Sequence, residues 1–285
     1  MPGGVYHRSM IRREIELTEG EPLWLLVLQV DHAHIGGELT RNLSESFSHE
    51  VIEAIAHHDD GWSEWEAAPR LNPEIGGPYS FLEMPLAEAL AIWDGSIAAA
   101  RKFGPLAGFI VAGHFYNLLS ESDHAQEPAA IGWLAAKRKV RTTWLDEWVR
   151  ADAAHTLDDA KHAQHQLQIA DLFSLWLCCD APVTAEDAGL LEQSPMKARV
   201  EKLLGQFHFT TAGFGWRHAT PENPLEALAW VVAVAPYPFG TSPLSLSLMA
   251  DAVPVARYAT WKELKAASRP VELRWRLIPP AASSA

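Results

Sequence analysis

The sequence predicts a mainly α chain, α+β in class, in which a bundle of helices carries a small antiparallel sheet formed by the N-terminal hairpin and the C-terminal strands. Three observations predict it. Between residues 31 and 180, apolar residues recur at helical spacing in one segment after another. Residues 10–30 and 226–280 instead show continuous or alternating apolar runs of the kind strands use. Neither end has enough strands to bury a sheet face alone, so both are expected in one sheet. The expectation is a single domain over 1–285, with a helical core at 31–205 and a β subdomain built from 10–30 and 226–280.

The elements follow in order. "MIRREIELTEGEPLWLLVLQV" (10–30) reads as a strand, a Gly-Glu-Pro turn and a second strand. From Asp31 the period changes, and His32, Ile35, Leu39 and Leu43 fit one helical face. A second helix is expected over 47–59. Residues 61–84 are dense in Trp, Pro and Gly, and a loop of that length is expected to be ordered and to wall a site. Helices follow at 85–102, 105–120, 127–154 and 157–180, with Pro105 after Gly104 as a good start signal. A short helix at 194–205 precedes a glycine-rich aromatic stretch. From 226, "LAWVVAVAPYPF", "LSLSLMA", "VPVARYA" and "VELRWRLIPP" read as strands, with a short helix at 260–266.

Composition narrows the function. The chain has 285 residues, 48 % of them hydrophobic and 21 % charged, which suits a packed globular protein. A net charge of −13 argues against a nucleic-acid surface, which needs clustered Lys and Arg. No apolar run reaches the roughly 20 residues of a membrane span. The first residues lack the basic start and apolar stretch of a signal peptide, so a cytoplasmic location is expected. Cys178 and Cys179 are adjacent and cannot staple distant segments.

The polar residues on apolar faces carry the chemistry. In "VIEAIAHHDDGW" (51–62), a turn of about 100° per residue puts Val51, Ile55, His58, Asp59 and Trp62 on one face, while His57 points away with Glu50 and Glu53. His32 shares the apolar face of its helix, whereas His34 lies off it. His114 falls in line with Ala107, Ile110, Val111 and Leu118, and Asp171 sits in the very apolar "LQIADLFSLWLCC". A buried charge needs a cation, a donor or a proton. Nitrogen and oxygen donors together suit Mn, Fe, Zn or Mg. His155, Asp158, Asp159, His162 and His165 also cluster, but His162 lies opposite Asp171 on its helix and reads as a solvated face.

The order His, His-Asp, His, Asp resembles the HD superfamily of metal-dependent phosphohydrolases, and "AIAHHDDGW" is similar to its second-helix motif. Many members carry a lysine after the motif glycine, where this chain has Trp62. The resemblance implies an HD-like helical bundle and a phosphohydrolase of HD type acting on a small phosphoester. It implies His32, His58, Asp59 and Asp171 as metal ligands for one or two divalent ions, with Asp59 able to bridge two. His114 would be a further ligand or proton donor, and Asp60 would orient the attacking water or the His58 ring. Over nearly its whole length, with "MIRREIE", "QVDHA", "GHFYNLL" and "APYPF", the chain resembles an uncharacterised family known only as a domain of unknown function. The expected partner is a small-molecule substrate, with no nucleic acid and no membrane; a homo-oligomer is left open. Two alternatives stand beside the hydrolase: a di-iron oxygenase on the same ligands, and a non-catalytic binding module whose tryptophan-rich loop recognises a partner.

Overall fold

A computed structural model describes residues 11–16, 22–182, 207–220 and 225–281. The chain opens with β1 (Ile11–Ile15) and β2 (Leu23–Val27), an antiparallel pair with Ile11 opposite Val27. β2 is buried at every position because both its faces are covered. Leu23, Leu25 and Val27 face the main core, while Trp24 and Leu26 pack with Val253 and Leu264.

The helical part follows as α1 (Gln29–Arg41), α2 (His49–Ala56), α3 (Ser63–Ala67), α4 (Leu86–Ala100), α5 (Pro105–Ser120), α6 (Pro128–Ala151) and α7 (Leu157–Cys179), with a two-residue hairpin of β3 (Leu71–Asn72) and β4 (Gly77–Pro78) between α3 and α4. Local chemistry sets several starts. The Ser48 side chain caps α2 by accepting from Val51 N, and Thr156 with Asp159 forms a reciprocal capping box on α7. Glu50 of α2 caps α5 by accepting from Ala107 N at 2.9 Å. Gly104 makes room for it, since a Cβ there would meet the Glu50 carboxylate at 2.1 Å.

The second half is β5 (His208–Arg217), β6 (Glu226–Ala235), β7 (Leu244–Pro254), α8 (Trp261–Ala267) and β8 (Arg269–Ile278). The hairpin joins these strands in one six-stranded sheet, ordered β1-β2-β7-β8-β6-β5. Every pairing is antiparallel except β6 with β8, which is parallel and sets Trp230 beside Trp275.

This corrects the expected fold class. The chain is α+β with a large mixed sheet, neither mainly α with a small antiparallel sheet nor an HD-like helical bundle. Three features of the sequence hid the sheet's size. β5 lies in the glycine-rich stretch, bulges between Thr211 and Gly213, and as an edge strand buries no residue fully, so it lacks a strand's apolar rhythm. "LSLSLMA" and the start of "VPVARYA" are one strand, because the chain runs straight through Ala250–Val253 before Pro254. The near-continuous apolar run of β6 reflects a central position between β8 and β5. The helix expected at 194–205 lies outside the described residues.

α7 binds the two halves together. Leu167 and Ala170 belong to the core shared by α2, α4, α5 and α6. Phe173, Leu175, Leu177, Cys178 and Cys179 pack with Ile35 and Leu39 of α1 against the sheet. Asp171 sits at the seam between these two cores. Both cysteines are buried, and burial pushes both thiols up, which keeps them protonated and inert. Among the described residues, no helix is long and apolar enough to cross a membrane.

Candidate metal centre

Four segments deliver the polar residues. α1 carries His32, α5 carries His114 and α7 carries Asp171. The fourth differs from expectation: α2 ends at Ala56 instead of running to 59, and His57 to Asp59 form a tight turn into a single 3-10 turn at Asp60–Trp62. Gly61 explains the stop. Its amide donates to Ser96 Oγ at 3.0 Å, and a Cβ would lie 2.0 Å from Ile92 O, so the chain must leave the helix to lie against α4. The turn still sends His58 and Asp59 inward and His57 and Asp60 outward.

The inward groups converge on Asp171. Its Oδ1 lies 3.2 Å from His32 Nε2 and 3.3 Å from His58 Nε2, and its Oδ2 lies 3.8 Å from His114 Nε2. Asp59 Oδ2 is 3.8 Å from His58 Nε2 and 3.8 Å from His32 Nδ1. The imidazoles stand edge to face, with centroids 5.4 Å apart for His32–His58 and for His58–His114. None of the five residues is more than 6 % exposed.

Ring orientation is fixed from behind. His32 Nδ1 donates to Gln29 O at 2.6 Å, and His58 Nδ1 donates to Ile55 O at 2.8 Å. With Nδ1 carrying the proton, a neutral ring turns the lone pair of Nε2 toward Asp171. Two such lone pairs and a carboxylate oxygen are three acceptors facing one point, which demands a proton or a cation. In the metal-free protein a proton meets the demand. Burial opposes charge on His58, but the Asp59 carboxylate, then the hydrogen bond and charge of Asp171, outweigh it and raise the pKa to about 9. Asp171 is held well below the usual carboxylate range: burial works against ionisation, and His114, His32 and His58 together overcome it. Asp59 moves up, chiefly through burial.

A metal ion fits the same donors. His32, His58 and Asp171 each offer a ligand atom, all within 4.8 Å of one another. Ligands at about 2.0–2.2 Å from one ion lie roughly 3–3.5 Å apart, which matches the two nitrogen–oxygen separations at Asp171. A backbone carbonyl behind each ligating imidazole is the usual outer support of such sites. Asp59 flanks this triad, and His114 approaches the far oxygen of Asp171.

Asp60 does not take the place foreseen for it. It lies outside, 3.0 Å from His57 Nδ1, and the Ile55 carbonyl orients His58 instead. The loop after the turn reaches the site through its first residues, and its far end comes back to them, since Phe81 and Met84 pack against the cluster of Trp62 and Ile92. Trp62 is buried and hydrogen-bonds the Asp59 carboxylate. Further on, Gly77 lies against the Trp24 ring, and Arg257 holds the carbonyls of Pro73 and Glu74, which places that part over the sheet.

Sequence reasoning missed Glu66. It is 3 % exposed, and its Oε1 accepts from Gln29 N at 2.6 Å, beside the carbonyl that orients His32. Burial, aided by the Asp59 and Asp31 carboxylates and opposed by the Gln29 amide, raises its pKa to about 8. Glu64 and Glu66 look alike in "WSEWEAA", and no helical period marks which one turns inward.

A family model described as "Protein of unknown function (DUF3891)" matches residues 10–255. No curated protein and no solved structure matches the chain.

Proposed function

This chain belongs to that family of unknown function, and we propose that it is a metal-dependent hydrolase acting on a small phosphoester. One observation carries the metal: two imidazoles whose outer nitrogens are spent on backbone carbonyls aim their inner nitrogens at one carboxylate oxygen, in a place water scarcely reaches. His32, His58 and Asp171 are the ligands in this reading, and Asp59 completes the set or bridges to a second ion. A bound divalent ion of the Mn, Fe, Zn or Mg class would supply Lewis acidity and a low-pKa water. The phosphoester rests on the ligand order His32, His58-Asp59, Asp171 and its resemblance to the HD pattern, not on the fold.

The chain's own residues have separable tasks. Gln29 O and Ile55 O fix the tautomers of His32 and His58, so that no reorganisation accompanies binding. His114 stands on the side of Asp171 away from His32 and can pass a proton to a leaving oxygen. Trp62 holds Asp59 and closes that edge of the site to bulk water.

The test is elemental analysis of protein purified without added metal, followed by hydrolysis of bis-p-nitrophenyl phosphate with Mn, Fe, Zn or Mg supplied to the metal-free chain. Bound metal with metal-dependent release of nitrophenol supports the proposal. Iron with oxygen uptake and no hydrolysis would replace it with an oxygenase, and a chain that binds no metal would leave a binding module.

A further inference from the structure

We infer a second, solvent-facing transition-metal site formed by His34, His57 and Asp60. It lies on the outer side of the segments that build the buried centre. His34, His57 and Asp60 each offer a ligand atom within 4.8 Å of the others. His57 Nδ1 lies 3.0 Å from Asp60 Oδ2 and 3.2 Å from Oδ1, and the His34 ring stands edge-on to His57 at a centroid distance of 5.3 Å. "HAH" and "HHDD" thus send His32, His58 and Asp59 inward and His34, His57 and Asp60 outward.

A surface ion pair accounts for His57 with Asp60 but leaves the second imidazole unexplained, and three further features favour a metal. Without an ion His57 Nδ1–H donates to Asp60, and Glu53 Oε2, 3.5 Å from His57 Nε2, stands where it can draw the ring proton to that side when an ion takes its place at Nδ1. The His57 ring is braced on its face by Phe103, with centroids 5.0 Å apart and planes 28° from parallel. The frame is stiff: a Cβ on Gly37 would meet Ala56 Cβ at 2.6 Å, so α1 and α2 touch just beside His34 and His57, while Gly61 pins the turn to α4. Sites on such elements need little ordering when the ion arrives.

Two imidazoles and one carboxylate suit a borderline divalent ion such as zinc, nickel or cobalt, with the remaining positions open to water. Exposure makes the outer ion exchange freely, whereas the buried centre holds its own. The outer site therefore binds more weakly, and it does not depend on the hydrolase reading.

The experiment is a zinc titration of the metal-free full-length chain against a chromophoric chelator, repeated on His34→Ala, His57→Ala, Asp171→Asn and, as a control, the exposed neighbour His49→Ala. Wild type should bind two equivalents of unequal affinity. His34→Ala and His57→Ala should each lose the weaker one, His49→Ala should keep both, and Asp171→Asn should lose only the tighter one. Circular dichroism confirms that each variant is folded. The inference is overturned if folded His34→Ala and His57→Ala bind as much zinc as wild type, or if His49→Ala loses as much as they do. Should wild type bind a single equivalent that His34→Ala loses and Asp171→Asn keeps, the outer site stands and the buried one falls.

Discussion

His32 and His58 are held in the same way on two different segments: each donates Nδ1–H to the carbonyl three residues before it, and each brings Nε2 to within 3.3 Å of the same oxygen of Asp171. The carbonyls keep both rings in place whether or not an ion is bound, so the Asp171 charge can be removed by substitution without dismantling the site. Asp171→Asn should fold and should lose the tightly bound metal. At a hundredfold excess of metal over its dissociation constant, binding adds about 2.7 kcal/mol of stability to the wild type. The variant should therefore lack the several-degree difference in Tm that wild type shows with and without a chelator. An equal chelator effect in both proteins would count against Asp171 as a ligand.

Metal affinity should fall as pH falls. His58 keeps its proton up to a pKa of about 9 in the metal-free protein, and an entering ion must displace it. Below that value each pH unit should weaken apparent binding by up to about tenfold for one displaced proton. Calorimetry in two buffers of different ionisation enthalpy measures the proton released. No release at pH 7 would mean that His58 is not displaced.

The metal-free chain should show the matching stability profile. A folded-state pKa raised above the unfolded value gives stability that is complete below the unfolded pKa and lost as pH rises through the folded one. His58, raised from 6.5 to about 9, and Glu66, raised from 4.5 to about 8, both act this way. Asp171, held low, contributes above the normal carboxylate range and loses its share in acid. Urea unfolding should therefore find the metal-free protein less stable at pH 9 than at pH 6.5, and saturating metal should flatten the difference.

Gly61→Ala should damage the fold and the site together. The new Cβ would lie 2.0 Å from Ile92 O and 2.5 Å from Ser96 N, both backbone atoms of α4 that cannot swing aside. Overpacking of this kind costs about 1–3 kcal/mol, and relief requires the His57–Asp60 turn to move off α4. Urea unfolding and metal content should fall together; a variant with wild-type values for both would refute the argument that Gly61 sets the turn.

The site was more legible than the sheet for a physical reason. A charged or imidazole side chain on an apolar helical face violates the 3.6-residue pattern in a single sequence, so His32, His114 and Asp171 can be singled out one helix at a time. His58 and Asp59 were placed inward through a helix that in fact stops at Ala56; the turn that replaces it keeps their direction because Gly61 ties it to α4. The role expected of Asp60 follows from its place beside His58 in a supposed metal site, and no periodicity survives beyond the helix end to show that its side chain turns out to His57. In the sheet, β5 alternates too weakly to announce itself, and the parallel pairing of β6 with β8 depends on α8 returning the chain, which the strands themselves do not encode. Glu66 was hidden for a related reason: its role comes from capping α1 across 37 positions of sequence.

That cap gives the last prediction. Leu28 at the N-cap of α1 has no side chain able to accept a hydrogen bond, and Glu66 does the work from the neighbouring segment by accepting from Gln29 N. Among the described residues its other oxygen is buried without a hydrogen-bond partner, and so is the side-chain oxygen of Gln29. A carboxyl that keeps its proton to about pH 8 suits such a place, since the neutral form avoids a buried charge near Asp59 and Asp31. Glu66→Gln preserves an acceptor for the Gln29 amide and adds donors where two acceptors lack them. At pH 4.5 and below it should match wild type in urea unfolding. As pH rises it should become the more stable protein, because only wild type must then take up a proton or bury a charge on folding. That cost grows by up to about 1.4 kcal/mol per pH unit between the unfolded pKa of 4.5 and the folded one of about 8, then levels off, so that the gap is full at pH 9. Glu66→Ala should instead lose about 0.5–2 kcal/mol at pH 4.5 through the uncapped amide and should loosen the carbonyl that aims His32, weakening metal binding at a distance. Equal stability of Glu66→Gln and wild type at pH 9 would show that Glu66 is already charged at neutral pH, and its part in the site would reduce to the cap alone.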